Sequence, residues 1–247
     1  MDLLTQILIS GILSAALSIV AYKLRMLTYT GAIASFFVGY IVGLFGSVYW
    51  LLLLIAFTAA GLVATKLNIY DKKLYDLQEG ESGERTYHNV LGVGFPPCLI
   101  AFLFGIQGRF LGGEYDLALS IAFITTLAVA AADTVASEIG VRDKKVWLIT
   151  TFERVRRGTN GGVSVTGTLA ALVAAAATSL IGWLLIFGID SLDILILIPI
   201  TMGFLGNVLD SVFGASFERK GNMSKYVNNC LSALIATAIG FILVLLI

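Results

Sequence analysis

Leu117 to Glu138 reads LALSIAFITTLAVAAADTVASE. About 16 uncharged, mostly apolar residues precede Asp133, and a bilayer crossing takes about 20 such residues. At 1.5 Å per residue Asp133 lies roughly 24 Å into the run, close to one membrane boundary. Ionised groups at membrane depth are costly and tend to mark function rather than packing.

Seven more runs of the same character flank this one. The spans fall near 3–22, 29–46, 48–65, 90–107, 117–138, 163–187, 192–213 and 228–247. The second and third meet at a Gly46-Ser47 turn, since together they are too long for one crossing. The chain has 247 residues, 58% hydrophobic and 13% charged, against about 25% charged in soluble domains. The expected fold class is therefore all-α: one polytopic membrane helical bundle over residues 1–247. Zero net charge speaks against a nucleic-acid partner. The N-terminus has no basic region and no small-residue cleavage site, so no cleavable signal is expected. Cys98 and Cys230 both sit in apolar runs and read as small core residues.

Charge asymmetry orients the spans. Lys23 and Arg25 follow span one. Lys66, Lys72, Lys73 and Arg85 follow span three, with the acidic run Glu79, Glu81 and Glu84 among them. Arg142, Lys144, Lys145, Arg154, Arg156 and Arg157 follow span five, and Arg219, Lys220 and Lys225 follow span seven. Of the 16 Lys and Arg, Arg109 alone falls on the opposite side. The positive-inside rule puts the odd-numbered loops in the cytoplasm and both termini outside. Gly31, Ser35, Gly39 and Gly43 form a small-residue ridge that suits close helix packing, and so do Ala128, Ala131, Ala132 and the Ala174–Ala177 run. Pro199 is expected to kink span seven. Asp133-Thr134-Val135 with Phe152-Glu153-Arg154, and Asp210-Ser211-Val212 with Phe217-Glu218-Arg219, outline a parallel repeat of spans five-six and seven-eight.

The residues able to carry chemistry gather at the basic end. Asp133 and Asp210 lie at similar depth. Asn207 shares a helix face with Asp210 (i, i+3), and Ser137 shares one with Asp133 (i, i+4). Two carboxylates with amide and hydroxyl oxygens suit Mg²⁺ bridging to phosphate, with Asp133, Asp210 and Asn207 as ligands. Asp133 and Glu138 are five apart, so if both act on one ligand the helix must break near Ser137. Arg154, Arg156 and Arg157 lead into Gly158, Thr159, Asn160, Gly161, Gly162 and Ser164 at the start of span six. Glycines there let backbone N–H groups converge on an anion, the helix terminus adds positive potential, and guanidinium matches phosphate. The pattern is not a Walker A loop. Arg85 and Asn89 open span four, and Asn228 and Asn229 open span eight, where Asn commonly caps helices. His88, the one histidine, reads as an interfacial polar residue. No nucleophile elbow, zinc-protease motif or Cys–His pairing occurs. The inventory suits phosphoryl or nucleotidyl transfer, in which positioning and charge neutralisation do most of the work.

Three segments in order, Ala132–Gly140, Gly158–Ser164 and Gly206–Ala215, resemble the transmembrane protein 19 family (domain of unknown function 92). The likeness covers nearly the whole chain. The plant members are phytyl-phosphate kinases of tocopherol synthesis, and the family is distantly similar to CTP-dependent polyprenol kinases and phosphatidate cytidylyltransferases. The resemblance implies a site of Asp133, Glu138, Asn160, Asn207 and Asp210, with Asp133, Asp210 and Glu138 catalytic. Arg85 and Asn89 match the family's Arg-x-x-x-Asn pattern, with His88 in place of a small or apolar neighbour. It further implies Mg²⁺, a nucleotide triphosphate such as CTP, and an isoprenoid lipid phosphate drawn from the membrane. Arg85 or Arg219 would bind the acceptor phosphate. A CTP-dependent lipid cytidylyltransferase, an anionic-lipid transporter or flippase, and a non-catalytic scaffold stay open at this stage, as does a homo-oligomer.

Overall fold

The computed structural model describes residues 2–74 and 83–247. Glu79 and Glu81 lie outside them. Eight helices among the described residues are long and apolar enough to span a membrane. They are α1 (Leu3–Lys23), α2 (Tyr29–Ile41, continued by a π turn over Val42–Gly46), α3 (Val48–Leu74), α4 (Tyr87–Phe110), α5 (Asp116–Gly140), α6 (Val165–Ile186), α7 (Leu197–Ser216) and α8 (Lys225–Leu245). The chain is thus a polytopic helical bundle. Between α5 and α6 it adds a small antiparallel sheet unforeseen in the sequence: β1 (Val146–Leu148), β2 (Arg154–Val155) and β3 (Gly162–Val163), ordered β2-β1-β3.

The bundle is built around α5. Within its apolar window 83% of residues are buried, against 35% or less in every other span. Helices α3, α4, α6, α7 and α8 all pack against it. Small residues permit this crowding. A Cβ added to Gly206 would lie 2.4 Å from a Val129 methyl, and one added to Gly203 would lie 2.7 Å from Ala128 Cβ. Ala132, Ala171 and Ala175 form the α5–α6 seam. On the other flank Trp50 of α3 stacks on Phe123 at 4.1 Å. Outer faces carry Leu8, Ile12, Ile19, Leu169, Val173, Ile235 and Ile239 exposed, as a helix facing lipid requires.

The N-terminal helices pack by the same rule. The ridge of α2 meets a serine stripe of α1: an added Cβ on Gly39 would lie 2.7 Å from Ser14 Oγ, and one on Gly43 2.5 Å from Ser10 Oγ. The π turn ends α2 before Ser47 and frees carbonyls in an apolar setting. Gln6 Nε2 donates to the Gly43 and Leu44 carbonyls at 2.9 and 3.2 Å, which explains a polar residue inside the first span. Pro199 does not kink α7. It falls in the first turn of the helix, where proline's missing N–H has no intrahelical partner to lose.

Overpacking a tight core typically costs about 1–3 kcal/mol. Gly206→Ala should therefore lower the thermal midpoint in detergent. Gly108→Ala in α4, where an added Cβ meets nothing within 4 Å, should leave the midpoint unchanged or raise it.

Candidate functional site

The odd-numbered connections converge on one end of the bundle. Arg85, just before α4, is tied to the α1–α2 connection: its N–H donates to the Met26 carbonyl at 3.0 Å, and its own carbonyl accepts from Thr28 N–H at 3.1 Å. A cavity of about 270 Å³ opens at this end. Helix α5 contributes Asp133 and Ser137, α7 contributes Asn207, Asp210 and Ser211, and α8 contributes Lys225 and Asn229. The loop over 158–164 and the first turn of α6 close it.

Asp210 is held from several sides. In the amide orientation that satisfies both ends of the group, Asn229 donates to Asp210 Oδ1 at 3.1 Å and to the Lys225 carbonyl at 2.9 Å. Ser232 Oγ donates to the same Oδ1 at 3.4 Å. Asn228 is fully buried; its Nδ2 donates to the Asp210 carbonyl at 2.9 Å and to Glu218 Oε1 at 2.6 Å. So Asn228 and Asn229 are not helix caps. Ser224 caps α8, accepting from Val227 N–H, and the two amides face α7 instead. Asn89 does cap: its Oδ1 accepts from Thr86 N–H at 2.9 Å.

Helix α5 runs unbroken through Gly140, so no break brings Asp133 and Glu138 to one point. The two acids differ in reach, Asp133 lining two cavities and Glu138 one of them. A second cavity of about 50 Å³ adjoins the first, and both are lined by Asp133, Ser137, Lys225 and Asn229. Glu138, 2% exposed, lines only the second, together with Thr65, Arg85 and Asn89. Thr65 Oγ donates to Glu138 Oε1 at 2.9 Å, and Arg85 Nη2 donates to Thr65 Oγ at 3.3 Å. His88 is exposed and stacks on Tyr226 with ring centroids 5.3 Å apart, as an interfacial residue does.

The glycine loop is shaped by contact with α7. Gly161 has φ +75°, and a Cβ there would lie 2.4 Å from the Ala215 backbone nitrogen. Gly158, Thr159, Asn160, Gly161, Gly162 and Ser164 all line the first cavity. Part of the expected N–H cluster is turned inward, however. Gly162 N–H donates to the Thr159 carbonyl, and Thr159 N–H to the Arg156 carbonyl. Ser164 caps α6, accepting from Gly167 N–H at 3.2 Å.

None of the three loop arginines lines the cavity. Arg154 sits on β2 opposite Trp147, and both it and Arg156 are exposed. Arg157 donates to the Val141 carbonyl at 3.3 Å. Arg219 is exposed in a 3₁₀ turn over Glu218–Lys220. The cation that lines both cavities is Lys225, and Glu218 joins the first. In the sequence a lysine opening an apolar span looks like a topology signal, which is why it attracts no notice. The paired Phe-Glu-Arg strings also part company: Glu218 faces the cavity, while Glu153 is exposed beside Thr151.

Outside the membrane-spanning segments, Asp143 accepts a hydrogen bond from the Thr166 hydroxyl. This contact, with a further one from Ser164, holds its carboxyl below the usual range. The sign follows: the contact steadies the sheet–α6 junction above the ordinary Asp pKa and is lost as pH falls through the lowered one.

Among the described residues no cluster of three His, Cys, Asp or Glu side chains is poised for a metal. The first cavity nonetheless carries the hard oxygens of Asp133, Asp210 and Asn207. Mg²⁺ fits such a set, since it takes one or two carboxylates and completes its shell with phosphate and water.

Gly161→Ala should open the loop–α7 seam, read as faster amide exchange over residues 158–163 with α5 and α7 unchanged. Gly221, at the same φ of +75° but in open space, should show only the left-handed strain of roughly 1–2 kcal/mol when changed to Ala.

Comparison with known proteins agrees with this architecture. The model of an integral membrane protein family, DUF92, matches residues 12–242. An uncharacterized membrane protein of Methanocaldococcus jannaschii, MJ0933, is 35% identical over 100% of this chain and 96% of its own length. Protein PGR of Arabidopsis thaliana is 33% identical over 87% of this chain and 80% of its own. Protein VTE6, chloroplastic, also from Arabidopsis thaliana, is 31% identical over 79% of this chain, which spans 57% of that longer protein. No solved structure matches. Three ordered motifs, eight spanning helices and the family match lead to one conclusion: this chain belongs to the DUF92 family of integral membrane proteins.

Proposed function

We propose that the protein is a membrane-embedded kinase of isoprenoid (polyprenyl- or phytyl-type) monophosphates that takes a phosphoryl group from a nucleotide triphosphate, CTP by preference. The observation that carries this reading is the pairing of two intramembrane aspartates with a lysine and a glycine loop around one cavity, next to an arginine-bearing second cavity. The positive-inside rule places this end in the cytoplasm, where nucleotide is available.

In this reading the first cavity takes the donor. Asp133 and Asp210, with Asn207, would hold Mg²⁺, which neutralises and orients the donor phosphates. Lys225 lies where charge on the transferred group can be met from either cavity. Arg85 holds the acceptor monophosphate, and Glu138 keeps Arg85 in place through Thr65. An acceptor phosphate oxygen attacks the terminal phosphorus and the bond to the bridging oxygen breaks; lipid diphosphate and nucleoside diphosphate leave. The acceptor is already anionic, with a second pKa near 6 for a monoester, so the step needs no general base. Positioning and charge neutralisation supply the catalysis.

A lipid cytidylyltransferase would use the same donor apparatus but break a different bond, releasing pyrophosphate. A transporter fits less well. Alternating access usually works from a site near the membrane midplane, whereas these polar residues gather at one end.

The direct test incubates purified protein in detergent with Mg²⁺, mixed nucleotides and geranylgeranyl monophosphate, then reads products by mass spectrometry. A lipid diphosphate is the expected product. A CMP-linked lipid would move the protein to the cytidylyltransferases, and no nucleotide-dependent product from any isoprenyl phosphate would sink the kinase. Asp133→Asn and Asp210→Asn should each lower turnover on the order of 100-fold or more with the fold intact.

Lys225→Ala should reduce kcat/KM about 10-fold or more, as loss of a charged contact in the transition state does. Arg154→Ala and Arg156→Ala, outside the cavity lining, should change it by no more than a few-fold. The reverse order in steady-state kinetics would restore the arginines as the phosphate-binding cations.

A further inference from the structure

A third cavity, about 70 Å³, lies deeper among the first four helices. Its walls are mostly apolar. Leu54, Phe57, Thr58 and Gly61 come from one face of α3, Val38 and Gly39 from α2, and Val90, Val93 and Gly94 from α4. Arg85, Asn89 and Val93 belong to this cavity and to the second polar one alike. The three cavities therefore form a series, from the aspartate pair through the Arg85 chamber to an apolar cleft. Along α3, Thr65 in the second cavity and Leu54 in the third are eleven residues apart, roughly 16 Å of helix.

Leu54 and Val38 are buried, so the cleft is no part of the outer lipid-facing surface. Nor is it a gap left by poor fit. Its walls include positions packed to their limit, since a Cβ added to Gly94 would lie 2.9 Å from Val38 methyls, and one on Gly39 2.7 Å from Ser14 Oγ. At its mouth the Arg85 backbone is fixed by bonds to Met26 and Thr28, and its guanidinium donates to Thr65 Oγ. The arrangement complements a molecule with an anionic head and an apolar tail.

We propose that this cleft receives the phosphate-proximal isoprene units of the acceptor, with the head at Arg85. Acceptor selection then belongs to α1–α4 and donor binding to α5–α8. The inference rests on the kinase reading for the identity of the head, but it assigns a tail site which that reading lacks. Thr58 sits within the cleft wall, remote from the polar cavities, and its hydroxyl only donates back to the Leu54 carbonyl at 2.8 Å.

The experiment has two arms. In kinetics, Thr58→Trp should raise KM for geranylgeranyl monophosphate about 10-fold or more, as steric loss of one apolar subsite does. It should leave kcat/KM for isopentenyl monophosphate near that of the parent, since a single isoprene unit is shorter than the roughly 10 Å of α3 that separates Thr58 from Thr65 beside Arg85. Thr58→Val, which keeps the space, should behave as the parent with both acceptors. An unchanged chain-length profile in Thr58→Trp would overturn the proposal. In the second arm, wild-type protein without nucleotide is irradiated with geranylgeranyl monophosphate carrying a diazirine in its first isoprene unit. Label is expected on peptides from α2, α3 and α4; label confined to α6 or α8 would overturn the proposal. Label in the cleft without any phosphoryl transfer would keep the tail site and reject the kinase. Displacement of the label by phosphatidate in preference to isoprenyl phosphate would reject the isoprenoid as occupant.

Discussion

Everything at the functional end depends on the burial of α5. A helix surrounded on nearly all sides by other helices cannot send a polar side chain outward to headgroups, as a peripheral helix can by snorkelling. Asp133 and Glu138, in its last two turns, must therefore find polar company inside the protein. Their side chains diverge, because five residues of α-helix rotate the side chain well away from its starting face. Asp133 borders both the cavity shared with α7 and α8 and the chamber shared with α3 and α4, whereas Glu138 borders the chamber alone. A single unbroken helix thereby borders two neighbouring compartments, with Asp133 and Ser137 in both.

The same burial sets the composition of the bundle. Alanines on α5 and glycines on α6 and α7 are dictated by distance: at Gly206 and Gly203 even a methyl group is too large. Without a hydrophobic drive between helices in lipid, association depends on such close contact and on interhelical hydrogen bonds. The Asn228 and Asn229 contacts to Asp210 and Glu218 supply bonds of that kind. They tie α8 to α7 beside Asp210.

Some of this was legible in the chain and some was not, for identifiable reasons. Span positions follow from hydropathy over long windows, and the depth of Asp133 and Asp210 follows from counting residues. The Gly158–Gly162 loop was legible as a turn-rich anion candidate because left-handed and close-contact positions call for glycine. The sheet was not: strands of two or three residues, such as Arg154–Val155 and Gly162–Val163, carry no periodicity to read. Charge was misleading in both directions. Arg154 and Arg156 looked purposeful by number and spacing, yet Arg154, paired in β2, and Arg156 just beyond it are both exposed, while Lys225 looked like an ordinary span-end lysine. Counting charges gives the side of a membrane; only the packing of α8 against α4 and α7 decides which cation faces inward.

The division of the bundle also bears on why the polar site sits at one end rather than at mid-depth. A nucleotide is too polar to be carried into the hydrocarbon, and an isoprenoid tail is too apolar to be drawn far from it. Joining the two substrates at a membrane boundary asks neither to leave its own phase. On the proposed kinase reading, donor phosphates would need only to dip beneath the basic loops to reach Asp133 and Asp210, and an acceptor head only to stay at its natural depth. The close fastening of Arg85 to the α1–α2 connection makes sense in that setting. The N-terminal helices that would hold a tail are joined by these backbone bonds to the residue that would hold its phosphate.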